Sequence, residues 1–127
     1  MSTSNIPESP VTLVVGASEN TTRYSNLAVN KLVKFGHAVI ALGNRTGQIG
    51  NIPIVTEVSP GTEIDTITLY VGPAGQKDLI GKLLSLHPKR IIFNPGTENP
   101  EFISKARQQG IETEIACTLV MLSTGTY

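Results

Sequence analysis

The sequence has no tryptophan, one cysteine and two histidines. A lone Cys117 cannot close an internal disulfide, which excludes a disulfide-stapled scaffold, and with His37 and His87 it makes no metal-ligand spacing. Neither sign of charge dominates, with ten Lys and Arg against ten Asp and Glu. A neutral chain lacks the broad positive field behind non-specific nucleic-acid binding, so no nucleic-acid partner is expected, and an anion must meet a local site. No apolar run approaches the ~18 residues of a membrane span, and no basic-then-apolar start resembles a secretory signal. The expectation is a soluble, cytoplasmic protein without a membrane partner. Repeats, low-complexity tracts and charge blocks are also missing. Length and composition therefore point to one domain over 1–127, with 1–10 as an irregular entry segment.

Twelve glycines and eight prolines stand between apolar runs, where an alternating α/β chain places its turns. Val11–Val15 reads as a strand buried on both faces and ends at Gly16. A helix follows over 25–35, with Ala28, Leu32 and Phe35 in one stripe and Gly36 closing it. Ala38–Leu42 reads as a second buried strand. The stretch 44–60 is the least regular and holds a possible short strand at 53–56. A strand over 66–71, a helix over 74–86 and a strand over 90–93 come next. Asn99 as N-cap, Pro100 at N1, Glu101 in the first turn and Gly110 past the end punctuate a further helix. A short strand at 112–115 leads into the tail.

Such alternation predicts a Rossmann-like, doubly wound α/β fold: a mostly parallel sheet with helices on both faces. It also predicts that 66–71 lies beside 11–15, on the side away from 38–42. Ligands of such sheets bind at the carboxyl ends of the strands, where strand order reverses. Four strands here end in small or turn-forming residues. They are Gly16-Ala17-Ser18, Gly43-Asn44-Arg45, Val71-Gly72-Pro73 and Asn94-Pro95-Gly96, and all four groups are candidates for binding a cofactor.

A glycine at position 16 lets the backbone approach a phosphate closely, while nearby N–H groups and the Ser18 hydroxyl supply donors. The dinucleotide fingerprint G-x-G-x-x-G is not met, because no glycine occurs between Gly16 and Gly36. No acidic residue ends the second strand to hold an NAD ribose. Arg45 stands there instead, and a guanidinium suits a phosphate on the adenosine ribose. Tyr24 is placed to pack on an adenine, whereas Tyr70 belongs to the core.

The run from Gly16-Ala17-Ser18 through Arg23, Tyr24 and Ser25 resembles the opening loop of the small stand-alone CoA-binding domain proteins. These are related to the CoA-binding domain of the succinyl-CoA synthetase alpha subunit. The likeness continues through Gly36-His37, Arg45, Ile49-Gly50, Ile64-Asp65, Gly96 and Cys117, nearly the length of the chain. Here Gly43-Asn44-Arg45 stands where that family usually reads Asn-Pro-Lys, and Asn94 stands where it tends to carry Gln. The resemblance implies a small-molecule cofactor, coenzyme A or an acyl-CoA, and a module that binds or senses it.

No reaction is implied. His37 sits at the edge opposite the expected ligand site, and Cys117 reads as a small buried residue. Glu98 and Glu101 are three apart near a helix start, where carboxylates favour the dipole. Asp65 and Asp78 flank elements without a base partner, so no nucleophile, base and orienting group assemble. Two other readings stay open: an NADP-binding reductase-like protein, and an interaction protein whose nucleotide site has been lost.

Overall fold

The computed structural model describes residues 10–127. The expected entry segment, apart from Pro10, lies outside the described residues. Seven strands and five helices follow one another as β1 (Val11–Val15), α1 (Tyr24–Lys34), β2 (Ala38–Leu42), β3 (Gly47–Ile49), β4 (Ile52–Val55), β5 (Thr66–Leu69), α2 (Pro73–Gln76), α3 (Ile80–Leu84), β6 (Arg90–Phe93), α4 (Pro100–Gln108), β7 (Glu112–Ile115) and α5 (Thr118–Thr124). They form one sheet of order β3-β4-β2-β1-β5-β6-β7. All neighbours are parallel except the β3–β4 pair. As expected, β5 lies beside β1 on the side away from β2, with Thr12 opposite Thr66 and Val39.

Alternation along β1 explains why every residue of it is buried. Leu13 and Val15 pack with Ile80 and Leu83 of α3 and with Phe102 and Ala106 of α4. Val14 packs on the other face with Val29 and Leu32 of α1 and Leu122 of α5. Phe93 and Phe102 meet edge to face at 5.3 Å, which locks α4 to β6. The α4 punctuation is as the sequence predicts. Asn99 accepts from the Glu101 and Phe102 amides, Pro100 opens the helix, and Gly110 takes φ +78° past its end.

Several expectations need correction. Phe35 caps α1 and is 49% exposed rather than part of its buried stripe. The strand expected over 66–71 ends at Leu69, and the single helix expected over 74–86 is two short ones. The reason lies in Gln76, which is fully buried. Its amide nitrogen donates to the Val71 and Thr97 carbonyls at 2.8 Å, and its oxygen accepts from Asn99 at 2.9 Å. A side chain that must satisfy all these groups fixes the turn at 77–79. The irregular stretch contains a β3–β4 hairpin that the sequence reading reduced to one short strand.

The second strand is not fully buried: Ala38, Val39, Ile40 and Leu42 are only partly covered. Between β4 and β5 the chain crosses through residues 56–65 without a helix. That crossing contributes Val58 and Ile64 to the α3 face of the core and covers β2 thinly. The tail also departs from expectation, since Thr118–Thr124 is helical and ends at Gly125 in a left-handed turn (φ +73°). Beyond it Tyr127 returns to the sheet. Its hydroxyl bonds Thr12, its ring meets His37 at 4.9 Å, and the Arg90 guanidinium lies 4.5 Å from the ring centre.

Candidate functional site

Parallel pairing brings the carboxyl ends of β1, β2, β4, β5 and β6 to one edge, and the order reverses between β1 and β5. A cleft of about 1380 Å³ opens there. Sites for drug-sized ligands run roughly 300–1,000 Å³, so this one suits a longer molecule. Of the residues expected at the site, Gly16, Ala17, Ser18, Arg23, Tyr24, Ser25, Gly43, Asn44, Arg45, Val71 and Pro95 line the cleft together. Gly72, Pro73, Asn94 and Gly96 do not. Tyr24 is 70% exposed at the first turn of α1.

The loop after β1 is held from three sides. The Gly16 and Ala17 amides both donate to the Leu42 carbonyl, at 2.8 and 2.9 Å. The Asn26 amide donates to the Ser18 carbonyl at 2.8 Å, and Glu19 accepts the Gln48 amide at 2.9 Å. Gly16 adopts φ +96°, a conformation that L side chains resist. Among the described residues, the amides of Ser18, Glu19, Thr21, Tyr24 and Ser25 have no acceptor. Arg23 precedes α1 without a side-chain cap, so the Tyr24 and Ser25 N–H groups stay free at the positive end of the helix dipole. Such a loop and helix start accommodate a phosphate.

Three cations, Arg23, Arg45 and Lys82, line the cleft. None has a carboxylate partner among the described residues, whose ion pairs are Lys89–Asp65, Arg90–Glu114 and Lys105–Glu101. Three carboxylates, Glu19, Glu57 and Asp78, are on the lining as well, and that of Glu19 is already engaged by the Gln48 amide. At the β6 loop the Gly96 amide is already taken, donating to the Glu98 carboxylate at 2.8 Å.

Asn94 is turned inward instead and is only 2% exposed. Its amide nitrogen donates to the Thr68 hydroxyl (2.7 Å) and the Leu69 carbonyl (2.9 Å), while its oxygen accepts the Thr118 amide at 2.9 Å. It therefore ties β5, β6 and α5 together behind the cleft. Tyr70, expected in the core, lines the cleft and packs against the α1 side of the core. Its hydroxyl is buried without a hydrogen-bond partner among the described residues. Burial pushes its pKa up to about 12, with the nearby Thr68 and Thr118 hydroxyls working weakly against that. Those two hydroxyls bond each other at 2.7 Å rather than Tyr70. Cys117, expected to be buried, is only partly so at the start of α5.

Sequence reasoning missed one wall of the cleft. It is made by residues 56–60 on one side and by Leu79, Lys82, Leu83, Ser85 and Leu86 on the other. The available signal was the Ser59-Pro60-Gly61 run, a turn signature that leaves little chain for a crossover helix before β5.

A family model described as the CoA binding domain matches residues 11–123. No curated protein matches the sequence. Among solved structures, an uncharacterised protein is 43% identical at a TM-score of 0.89, over 95% of this chain and 100% of its own. A Thermus thermophilus protein is 17% identical at a TM-score of 0.78, over 94% of this chain and 92% of its own. The dinucleotide-forming acetyl-coenzyme A synthetase 1 of Ca. Korarchaeum cryptofilum, solved with phosphate and ADP, is 16% identical at a TM-score of 0.67. That match spans 81% of this chain and 25% of the synthetase. The last two share the fold.

Proposed function

The chain belongs to the CoA-binding domain family, and on that premise we propose that its cleft binds coenzyme A or an acyl-CoA as a non-catalytic binding or sensing module. One observation carries the reading: the five free amides after β1 and at the start of α1, flanked by Arg23 and Arg45. A diphosphate needs several converging donors and local positive charge, and this chain is otherwise neutral.

The residues present fit the group. The amides of Ser18, Tyr24 and Ser25, with Arg23, hold the diphosphate. Arg45, beyond the end of β2, holds the 3′-phosphate of the ribose. The glycine at 43 keeps the second loop close against the first, which draws these donors into one cleft. Coenzyme A supplies a thiol or thioester, and no described side chains near it assemble a nucleophile with a base. The absence of an acidic residue after β2 disfavours plain NAD.

The test is calorimetric titration and thermal shift of the purified chain with CoA, acetyl-CoA, NADP and ATP. At 100 times its dissociation constant a ligand adds about 2.7 kcal/mol of stability. CoA and acetyl-CoA should bind best. Preference for NADP, or no binding by any of the four, would overturn the reading.

A further inference from the structure

We propose that the free sheet edge at β7 pairs with the same edge of a second copy of this chain, antiparallel and centred on Ile115. The sheet has two outer strands, and the chain closes only one of them. At β3 the Gln48 amide donates to the Glu19 carboxylate at 2.9 Å, and that three-residue strand is half of a hairpin. β7 pairs with β6 alone. The Glu112 and Ala116 amides donate to the Lys89 and Phe93 carbonyls. By alternation, Thr113 and Ile115 turn their N–H and C=O groups outward. Among the described residues nothing takes those two amides. Such an edge is a template for a further strand.

The side chains decide which strand that is. Ile115 stands opposite Phe93 in the ladder and so projects to the α4 face, yet it is 63% exposed. It shares a groove with Pro100, Ile103 and Arg107, one stripe of α4 beside the buried Phe102 and Ala106. The other face of β7 carries Glu112 and Glu114, and Arg90 holds the Glu114 carboxylate at 2.9 Å. A two-fold antiparallel pair must centre on one residue of the strand. A centre on Glu112 or Glu114 sets a carboxylate against its own copy, and one on Thr113 sets Glu112 against Glu114. Like charges directly opposed are destabilising. Centring on Ile115 avoids every such clash, because Glu114 then meets Ala116. It also joins the two Ile115 side chains into one apolar patch between the α4 helices. Cys117 is extended (φ −103°, ψ 114°), so the strand continues far enough to meet Thr113 of the other copy.

This pairing is self-limiting, since each copy spends its one open edge on the other. The two β7 strands run in opposite directions, so the carboxyl edges of the two sheets lie at opposite ends. The groove shares no lining residue with the cleft, and both clefts stay open.

Sedimentation equilibrium between about 10 µM and 1 mM should show monomer and dimer in exchange, since so short an edge belongs to the weak class, with a dissociation constant on the order of 100 µM. Ile115→Glu sets two carboxylates at the centre and should leave a monomer throughout. Its melting temperature should stay near wild type, because the side chain is exposed. The register is read by cross-linking in a Cys117→Ser background. There Ile115→Cys places two thiols on facing positions with Cα atoms about 5.5 Å apart, within reach of a disulfide. Mild oxidation should link that variant into a dimer. Glu114→Cys, two residues out of register with its copy, should not link. A wild type that is monomeric at the highest concentration, a dimer that survives Ile115→Glu, or linkage through position 114 rather than 115 would overturn the proposal.

Discussion

A side-chain carbon placed on Gly43 would lie 2.6 Å from the Ala17 carbonyl oxygen. The loops after β1 and β2 therefore touch backbone to backbone, and the space between them admits no methyl group. Ile54 crowds the same point at 2.9 Å. Gly43→Ala must push the loops apart, at a cost of about 1–3 kcal/mol as for other overpacked sites. Urea denaturation should show that loss, and CoA affinity should fall with it. A Gly43→Ala protein with wild-type stability and affinity would mean that the loops need not touch.

Arg45 should give the protein a preference for CoA over dephospho-CoA of about ten- to a hundredfold, the scale of one charge-assisted contact worth roughly 1.5–3 kcal/mol. Added salt should shrink the preference, because Arg45 is exposed. Arg45→Ala should lose it while binding dephospho-CoA nearly as well as wild type does. Equal affinity of wild type for the two ligands, measured by calorimetry, would remove Arg45 from the ligand.

Asn94→Leu should cost about 2–4 kcal/mol, since it leaves the Leu69 carbonyl and the Thr118 amide buried without partners. The loss would appear in chemical denaturation without any ligand. A small change with a large loss of CoA affinity would instead make Asn94 a ligand contact.

Tyr70→Phe should behave in the opposite way. Its hydroxyl is buried and unpartnered, so removing it should be neutral or stabilising by up to about 1 kcal/mol. The pH dependence has a definite sign. Folding holds the Tyr70 proton to about pH 12, against 10.0 in an exposed tyrosine. Stability is thus fully present below pH 10 and is lost as pH rises toward 12, while the unfolded chain ionises first. Burial raises the Tyr127 pKa as well, so it adds to the same loss. Denaturation midpoints between pH 9 and 12 should fall less steeply in Tyr70→Phe than in wild type. Equal slopes would remove Tyr70 as a source of the alkaline loss.

Much of the frame was legible because it rests on local signals. β1 is a mostly β-branched run, α4 carries its own cap and terminator, and the glycines after β1 and β2 mark the carboxyl edge of the sheet. What escaped depends on contacts made far along the chain. Gln76 breaks its helix only because Val71, Thr97 and Asn99 surround it. The helix at 118–124 holds Thr, Ser and Val, weak helix formers, at four of its positions, and its first amide is taken by Asn94 from the loop after β6. Asn94 itself was readable as a loop residue but not as an inward one. The cleft wall at 56–60 left no periodicity to find, because Val58 is its only large aliphatic side chain.

The position of β1 in the sheet has a kinetic consequence. Its first partner, β2, comes from the same βαβ unit, so that half of the sheet closes over a short stretch of chain. Its second partner, β5, arrives only after the hairpin and the helix-free crossing have been traversed. Pairings so distant along the chain close late in folding, after a costly loop has been formed. The cleft spans this late seam, with Gly16 on one side and Val71 on the other. A ligand seated across it stabilises the finished sheet and not the barrier that precedes it, so its presence would slow unfolding while leaving refolding at its own pace.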